Sequence, residues 1–147
     1  MDLRFTVQAK IKKPIEEVYE VIYNPKKLSK YFTTGGASGP LEEGTEVKWD
    51  FHDYPGSFPV YVIQSIKNQK IVFELASAVE TNRLKVEITF ESLGDDCALI
   101  KISEAGWTND EQASLDESYS YCQGWTQMLC SLKTYIEYDK NLREFYY

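Results

Sequence analysis

One acidic residue, Glu104, is the strongest candidate for chemistry in this 147-residue chain. Apolar residues stand at every second position in Ala98, Ile100 and Ile102, and strict alternation along this predicted strand also aims Glu104 inward. Its carboxyl group would then lie opposite Ser118 and Cys122, two small side chains of a predicted carboxy-terminal helix. A carboxyl of raised pKa in such a setting can orient a ligand or act as an acid or base.

Two other arrangements of Glu104 stay open. The strand can bulge near Gly106, which would turn the carboxylate towards water, or Glu104 can pair with Arg83. Charged residues are seldom fully buried, and this general tendency favours both alternatives.

The chain has a single histidine, His52, so a catalytic triad or a Cys/His pair would have to use it. The strand pattern places Trp49 and Phe51 on one face and His52 on the other, towards solvent. With Asp50 and Asp53 it forms only a weak signal for a divalent cation. We therefore predict no catalytic residue and no metal site, and an enzyme is disfavoured.

A long helix is predicted from Asp110 to Tyr138, because apolar or small residues recur there in steps of three and four without a proline. Large side chains occupy the second half of this stripe, whereas Ser118 and Cys122 in the first half are small. A sheet that faces small side chains leaves space for a ligand, unless bulky strand residues or tyrosines fill it. The stripe consists of Leu115, Ser118, Cys122, Trp125, Leu129, Leu132 and Ile136.

Short patterns in this segment indicate where the helix begins, and one glycine indicates a close contact. Thr108-x-x-Glu111 and Ser114-x-x-Glu117 both have capping-box spacing, and the later start fits the stripe better. Gly124 lowers helix stability by about 1 kcal/mol relative to alanine, so we expect it to permit close approach of a neighbouring group.

The remaining segments predict an α+β fold in one domain, residues 1–147: a curved antiparallel sheet of about six strands around the long helix. Pro14 and Asn24-Pro25 indicate two short helices after the first strand. The tail is expected to dock through Leu142 and Phe145 or to fray. Strands are predicted near residues 3–11, 47–51, 60–66, 71–75, 83–90 and 98–104.

Composition and charge exclude several classes of partner. The formal charge of -7 and the lack of a basic cluster argue against nucleic-acid binding and an anionic membrane surface. No apolar run is long enough for membrane insertion, and no glycine-rich phosphate motif indicates a cofactor. Three cysteines without metal-ligand spacing, and an amino terminus unlike a signal peptide, predict a cytoplasmic protein.

Short motifs follow one another in order along nearly the whole chain. They are Ile11-x-x-Pro14-x-x-Glu17-Val18-Tyr19, Asn24-Pro25-x-x-Leu28-x-x-Tyr31-Phe32, Leu41-x-x-Gly44, Ile71-Val72-Phe73-Glu74-Leu75, Val86-x-Ile88-x-Phe90 and Gly124-Trp125-x-x-x-Leu129-x-x-Leu132-Lys133-x-Tyr135-Ile136-Glu137. Together they resemble the branch of the START-like (SRPBCC) superfamily named for the activator of the Hsp90 ATPase. Tyr19 and Tyr31 depart from it, since the family usually has Trp there.

This resemblance implies the helix-grip fold and several possible functions. The leading hypothesis is non-catalytic binding of a small hydrophobic or amphipathic ligand, such as a lipid, between sheet and helix. One alternative is a co-chaperone that stimulates an Hsp90-type ATPase, and a second is a cyclase or hydrolase of polyketide-like substrates. The predicted ligand-binding residues are Val86, Ile88, Ile102, Leu115, Ser118, Cys122 and Trp125, with Glu104 as the polar anchor.

Overall fold

The computed structural model describes residues 2–147, which form seven strands and three helices. The strands are β1 (Leu3–Ile11), β2 (Gly36–Ala37), β3 (Glu46–Phe51), β4 (Tyr54–Ile66), β5 (Lys70–Leu75), β6 (Leu84–Gly94) and β7 (Cys97–Trp107). The helices are α1 (Ile15–Tyr23), α2 (Pro25–Leu28) and α3 (Gln112–Tyr138).

The strands form one antiparallel sheet in the order β1, β7, β6, β5, β4, β3, β2. Alternation of apolar and polar residues explains why these segments form a sheet with one buried face. In β6, for example, the buried residues of that face are Leu84, Val86, Ile88 and Phe90. The predicted α+β helix-grip fold is confirmed. The sheet has one strand more than the roughly six expected, because the two-residue β2 also pairs with β3.

The two short helices lie where the prolines predict them. Pro14 occupies the position before α1, and Glu16 and Glu17 lie in its first turn, near the positive end of the helix dipole. Asn24 then ends α1 and caps α2, since its Oδ1 accepts a hydrogen bond of 2.9 Å from the backbone N–H of Lys26.

Helix α3 packs one face against the concave side of the sheet, but this face differs from the predicted stripe in the first half of the helix. Trp125, Leu129 and Leu132 are buried as expected. In the first half Glu117 is buried, whereas Cys122 is only half-buried. The cause is geometric: a pattern with seven-residue spacing drifts by about 20° per heptad around a straight α-helix.

Neither predicted capping box forms at the start of α3, which begins at Gln112. The hydroxyls of Thr108 and Ser114 both donate to the carboxylate of Glu80, at 2.7 and 2.9 Å. No strand approaches Gly124 either: within residues 2–147, apart from its chain neighbours and the nearby backbone of α3, no heavy atom lies within 4 Å of the position that a Cβ would take.

Strands β3 and β4 form a tight hairpin through His52 and Asp53. His52 is exposed there, as predicted. In the described part of the chain, no helix combines the length and the apolar character that a membrane span requires.

Candidate functional site

Glu104 lies inward on β7, with its side chain against α3. It pairs with Phe5 of β1 and Val86 of β6, so two apolar residues flank it across the sheet. Its Oε1 accepts a hydrogen bond of 2.8 Å from Nε1 of Trp125. Its Oε2 is buried and has no hydrogen-bond partner in the described chain. The strand neither turns Glu104 to water nor pairs it with Arg83, which lies 3.6 Å from Glu74 instead.

Burial controls the protonation of this carboxyl. Removal from water raises the pKa of Glu104 to about 8, and the negative charge of Glu117 adds to that effect. The hydrogen bond from Trp125 lowers the pKa and opposes part of the rise. At neutral pH the side chain is therefore a neutral acid, whose Oε2 can donate a hydrogen bond.

Aromatic rings fill the space next to Glu104 that small helix side chains were expected to leave. The ring of Trp125 lies 6.4 Å from Trp49 and 6.0 Å from Phe73, between centroids. Trp49 is itself only 4% exposed, and its Nε1 is buried without a hydrogen-bond partner among the described residues. Two buried polar atoms near Trp125, Nε1 of Trp49 and Oε2 of Glu104, therefore have unused hydrogen-bonding capacity within the described chain.

A series of ring contacts connects Trp125 with the surface at the β3–β4 hairpin. Phe32 lies 5.7 Å from Trp125, and Phe51 lies 5.1 Å from Phe32. Phe58 follows at 5.8 Å from Phe51, and Tyr54 at 5.3 Å from Phe58. Tyr54 is 60% exposed. The rings therefore form a continuous series of apolar contacts from the hairpin surface to Trp125, the partner of the buried carboxyl.

A second buried carboxylate, Glu117, fastens the loop between β5 and β6 to α3. It accepts hydrogen bonds from the hydroxyl of Ser77, from the backbone N–H of Ala78 at 2.9 Å and from Nε1 of Trp107 at 3.0 Å. Tyr121 lies one turn further along α3, and its pKa is raised by burial and by the charges of Glu117 and Glu104. The hydroxyl of Tyr121 therefore stays protonated beside the two carboxyl groups.

The carboxy-terminal tail closes the far side of the hairpin. Arg143, which is 5% exposed, donates two hydrogen bonds to the carboxylate of Asp53, at 2.6 and 2.8 Å. Its guanidinium also lies over the rings of Phe51 and Tyr147. The tail thus docks through Arg143, and not through Phe145, which is 97% exposed.

The predicted ligand-binding residues fall into three places. Five of them surround one point of the concave face, where Glu104 meets α3: Val86, Ile88, Ile102, Glu104 and Trp125. Ser118 is buried nearby on α3, but its hydroxyl donates to the backbone of Leu115. Leu115 packs in a separate small cluster with Leu3, Leu84 and Trp107. Cys122 borders a surface cleft of about 330 Å³ on the outer side of α3.

The sequence singles out neither Trp49 nor Glu117 as a site residue, and it offers Tyr121 only as one of the tyrosines that could fill the space beside Ser118 and Cys122. Alternation along β3 predicts that Trp49 points inward, but it does not reveal that Nε1 lacks a hydrogen-bond partner among residues 2–147. Ser114, Glu117 and Tyr121 form a second stripe in steps of three and four, one position before the predicted stripe. Within residues 2–147, no group of three or more His, Cys, Asp or Glu residues is placed to hold a metal ion.

Solved structures with the same fold include three instructive relatives. Protein SSP2350 from Staphylococcus saprophyticus is 21% identical, with 96% of each chain covered and a TM-score of 0.79. The Aha1 dimer from Colwellia psychrerythraea is 19% identical, with 95% of this chain and 99% of that chain covered and a TM-score of 0.78. DynU16, from the dynemicin biosynthetic locus, is 20% identical over 93% of this chain but 48% of its own, with a TM-score of 0.79.

At these identities the likeness shows the fold alone. Curated proteins give no match to the sequence. The model of one protein family, described as activator of Hsp90 ATPase homolog 1-like protein, matches residues 12–137. Because this match spans most of the chain, the protein belongs to the family of activator of Hsp90 ATPase homolog 1-like proteins.

Proposed function

We propose that this protein binds a small hydrophobic or amphipathic molecule, without transforming it, between the concave face of the sheet and α3. The observation that carries the proposal is the state of Glu104, whose Oε2 is buried and has no hydrogen-bond partner in the described chain. A buried polar group without a partner lowers stability by roughly 1–3 kcal/mol, so such groups are rare in folded proteins. A bound ligand would satisfy it.

The surroundings of Glu104 match an apolar ligand with one polar end. Val86 and Phe5 flank the carboxyl across the sheet, and Trp125 covers it from the helix. Ligand sites in proteins are typically apolar with a few polar groups that orient the ligand. Here the apolar walls would supply affinity and Glu104 would set the orientation.

The ligand would reach this position along the aromatic route from the hairpin. Phe32 and Phe51 occupy the middle of that route. Aromatic rings pack well against flat apolar partners, so Phe32 and Phe51 would contact such a ligand through their faces. Binding would therefore replace ring–ring contacts by ring–ligand contacts and add a hydrogen bond at Glu104.

One structural relative has a setting that agrees with a small-molecule ligand: DynU16 belongs to the dynemicin biosynthetic locus. At 20% identity this likeness shows the fold alone, so the relative supports the type of function and leaves the ligand open.

Native mass spectrometry of protein purified from its own host tests the proposal. We expect an adduct of small-molecule mass that denaturing extraction releases, and loss of that adduct in Glu104→Leu. Asp116→Leu, a change at an exposed position of α3, is the matched control and should retain the adduct. An apo mass for the wild type, together with no stabilisation by a panel of apolar compounds, would contradict it.

A co-chaperone role is the second candidate, and the tail is the observation that favours it. Phe145 is 97% exposed, and Tyr146 and Tyr147 beside it are also exposed. Exposed aromatic residues in a cluster often mark a protein interaction surface. An ATPase assay with an Hsp90-type chaperone tests this role, and stimulation that disappears in Phe145→Ser would support it.

A further inference from the structure

We infer that two copies of this chain associate through the carboxy-terminal tail and the β3–β4 hairpin, each tail leaving its own hairpin and binding that of the other copy. The tail is the segment 139–147, which follows α3. Within one chain it lies on the hairpin, where Arg143 meets Asp53. The hairpin therefore binds this tail, and every copy carries both halves of the contact. The inference does not depend on the proposed ligand.

One buried side chain, Arg143, attaches the tail. Its guanidinium donates hydrogen bonds of 2.6 and 2.8 Å to Asp53 and lies 5.6 Å from the centre of the Phe51 ring. The other residues from 139 to 147 are all exposed. An arginine fork fits a carboxylate in the same way whichever chain supplies it. Exchange of the tails between two copies therefore keeps the buried contact and displaces no other buried side chain.

The connection between α3 and Arg143 is suited to act as a hinge. Residues 139–142 are exposed and belong to no helix or strand. Asp139 turns the chain out of the helix with φ 55°, in the left-handed region that residues with a side chain disfavour. An extended conformation at Asp139 avoids this region and directs the tail away from its own hairpin. Hinge loops of this kind are where proteins exchange identical elements between copies.

Exposed aromatic rings lie on both sides of this contact. Tyr54 and Phe58 are exposed on the hairpin, with 5.3 Å between their ring centroids. The last three residues, 145–147, are exposed aromatic residues of the tail, and the guanidinium of Arg143 lies 4.7 Å from the ring of Tyr147. Monomeric proteins rarely expose large contiguous apolar patches. Exchange of the tails brings the rings of two copies together, so the dimer removes apolar surface from water.

The charge of the chain predicts how this association depends on salt. Each copy has a formal charge of -7, so two copies repel each other. Salt screens the repulsion between exposed charges more than it weakens a largely buried pair such as Arg143–Asp53. Added salt should therefore strengthen the dimer, whereas it would weaken a dimer held by attraction between exposed charges.

Two variants that can pair only with each other test the exchange. Asp53→Ala keeps the donor but lacks the acceptor, and Arg143→Ala keeps the acceptor but lacks the donor. Neither variant can form the pair within its own chain or with its own copies, whereas a mixture can form it between chains. In sedimentation velocity we expect the mixture to associate at least about tenfold more tightly than either variant alone, because a buried charge pair gains its partner.

Hydrogen exchange in the same mixture identifies the contact. The peptide 52–58 has a different mass in the two variants, so its deuterium uptake can be followed in each separately. Uptake of this peptide in Arg143→Ala should fall when Asp53→Ala supplies a tail. The double variant Asp53→Ala/Arg143→Ala also lacks the donor, so it is the matched control and should leave the uptake unchanged.

The wild type provides a test that does not require the pair variants to fold. It should show a reversible equilibrium between monomer and dimer that salt shifts towards the dimer. Tyr54→Ser, a change at an exposed position, should weaken the dimer. A wild type that stays monomeric up to about 1 mM, the effective concentration of a short flexible tether, overturns the inference. A mixture of the pair variants that associates no more tightly than its components overturns it as well.

Discussion

Nε1 of Trp125 donates a 2.8 Å hydrogen bond to Oε1 of Glu104, and this bond joins the middle of α3 to the centre of β7. The bond satisfies the indole but only half of the carboxyl group, because Oε2 has no partner in the described chain. The same side chain therefore contributes to packing and retains a free hydrogen-bonding atom. Replacing Glu104 should therefore change both the stability of the fold and the proposed binding of a ligand.

Stability should fall with rising pH because of Glu104. Its pKa is about 8 in the folded chain against an ordinary value of 4.5, so between these values the folded chain holds one more proton than the unfolded chain. Relative to Glu104→Gln, which does not titrate, the wild type should lose about 1.4 kcal/mol of unfolding free energy per pH unit from about pH 5 to 8. Urea denaturation of both proteins across this range measures the difference, and parallel curves would refute the assignment.

Glu117 should be a structural residue of the β5–β6 loop. Glu117→Ala leaves the donors of Ser77, Ala78 and Trp107 without their acceptor, and we expect a loss of roughly 3 kcal/mol. Asp116→Ala, at the exposed neighbouring position, should change stability by less than about 0.5 kcal/mol. Hydrogen exchange at the amide of Ala78 should accelerate in the first variant only. Equal behaviour of the two variants would show that the loop does not depend on Glu117.

Two glycines should respond in opposite directions to alanine. Gly124 has open space around its Cβ position within α3, so Gly124→Ala should stabilise the protein by about 0.5–1 kcal/mol. Gly106 has φ +125°, and a Cβ there would lie 3.1 Å from the backbone of Arg83 and Leu84. Gly106→Ala should therefore lower the melting temperature. A destabilising Gly124→Ala would mean that a neighbouring group does approach the helix at that point.

The fold was predictable because its signals are local. Alternation along β1 and β6, and the prolines before α1 and α2, depend on neighbouring residues, and the structure follows them. The strand predicted near residues 60–66 begins earlier, at Tyr54. Pro55 and Gly56 lie in the register shift between the pairs Phe51–Tyr54 and Asp50–Ser57, so an irregular pair of residues interrupts the ladder without ending the strand.

The candidate site was predictable only in part because its contacts are long-range. Alternation places Glu104 inward, but the hydrogen-bond partner of its carboxyl group, Trp125, lies on α3. The side of α3 that faces the sheet depends on how the heptad pattern drifts around the helix. The Arg143–Asp53 pair joins residues 90 positions apart, which no local pattern could indicate. The filling of the site by Trp49 likewise depends on how β3 curves towards α3.

The carboxy-terminal tail should hold the β3–β4 hairpin in place, and this hairpin borders the proposed ligand route. Arg143→Ala removes both hydrogen bonds to Asp53 and the contact with Phe51, so the hairpin loses its contacts with the tail. Deuterium uptake of residues 52–58 should rise, and the protein should lose roughly 1–3 kcal/mol of stability. Lys140→Ala, at an exposed position of the same tail, is the matched control and should change neither quantity.

The stabilisation by the Arg143–Asp53 pair should depend on pH. The hydrogen bonds from Arg143 lower the pKa of Asp53, so the stabilisation by the pair is present above the ordinary pKa of aspartate, 3.8, and is lost as the pH falls through the lowered value. The wild type and Arg143→Ala should therefore differ in unfolding free energy at pH 6 and converge in strong acid. If the hairpin controls access, an apolar compound that stabilises the wild type should also associate faster with Arg143→Ala at pH 6. Unchanged deuterium uptake and an unchanged association rate would show that the hairpin keeps its position without the tail.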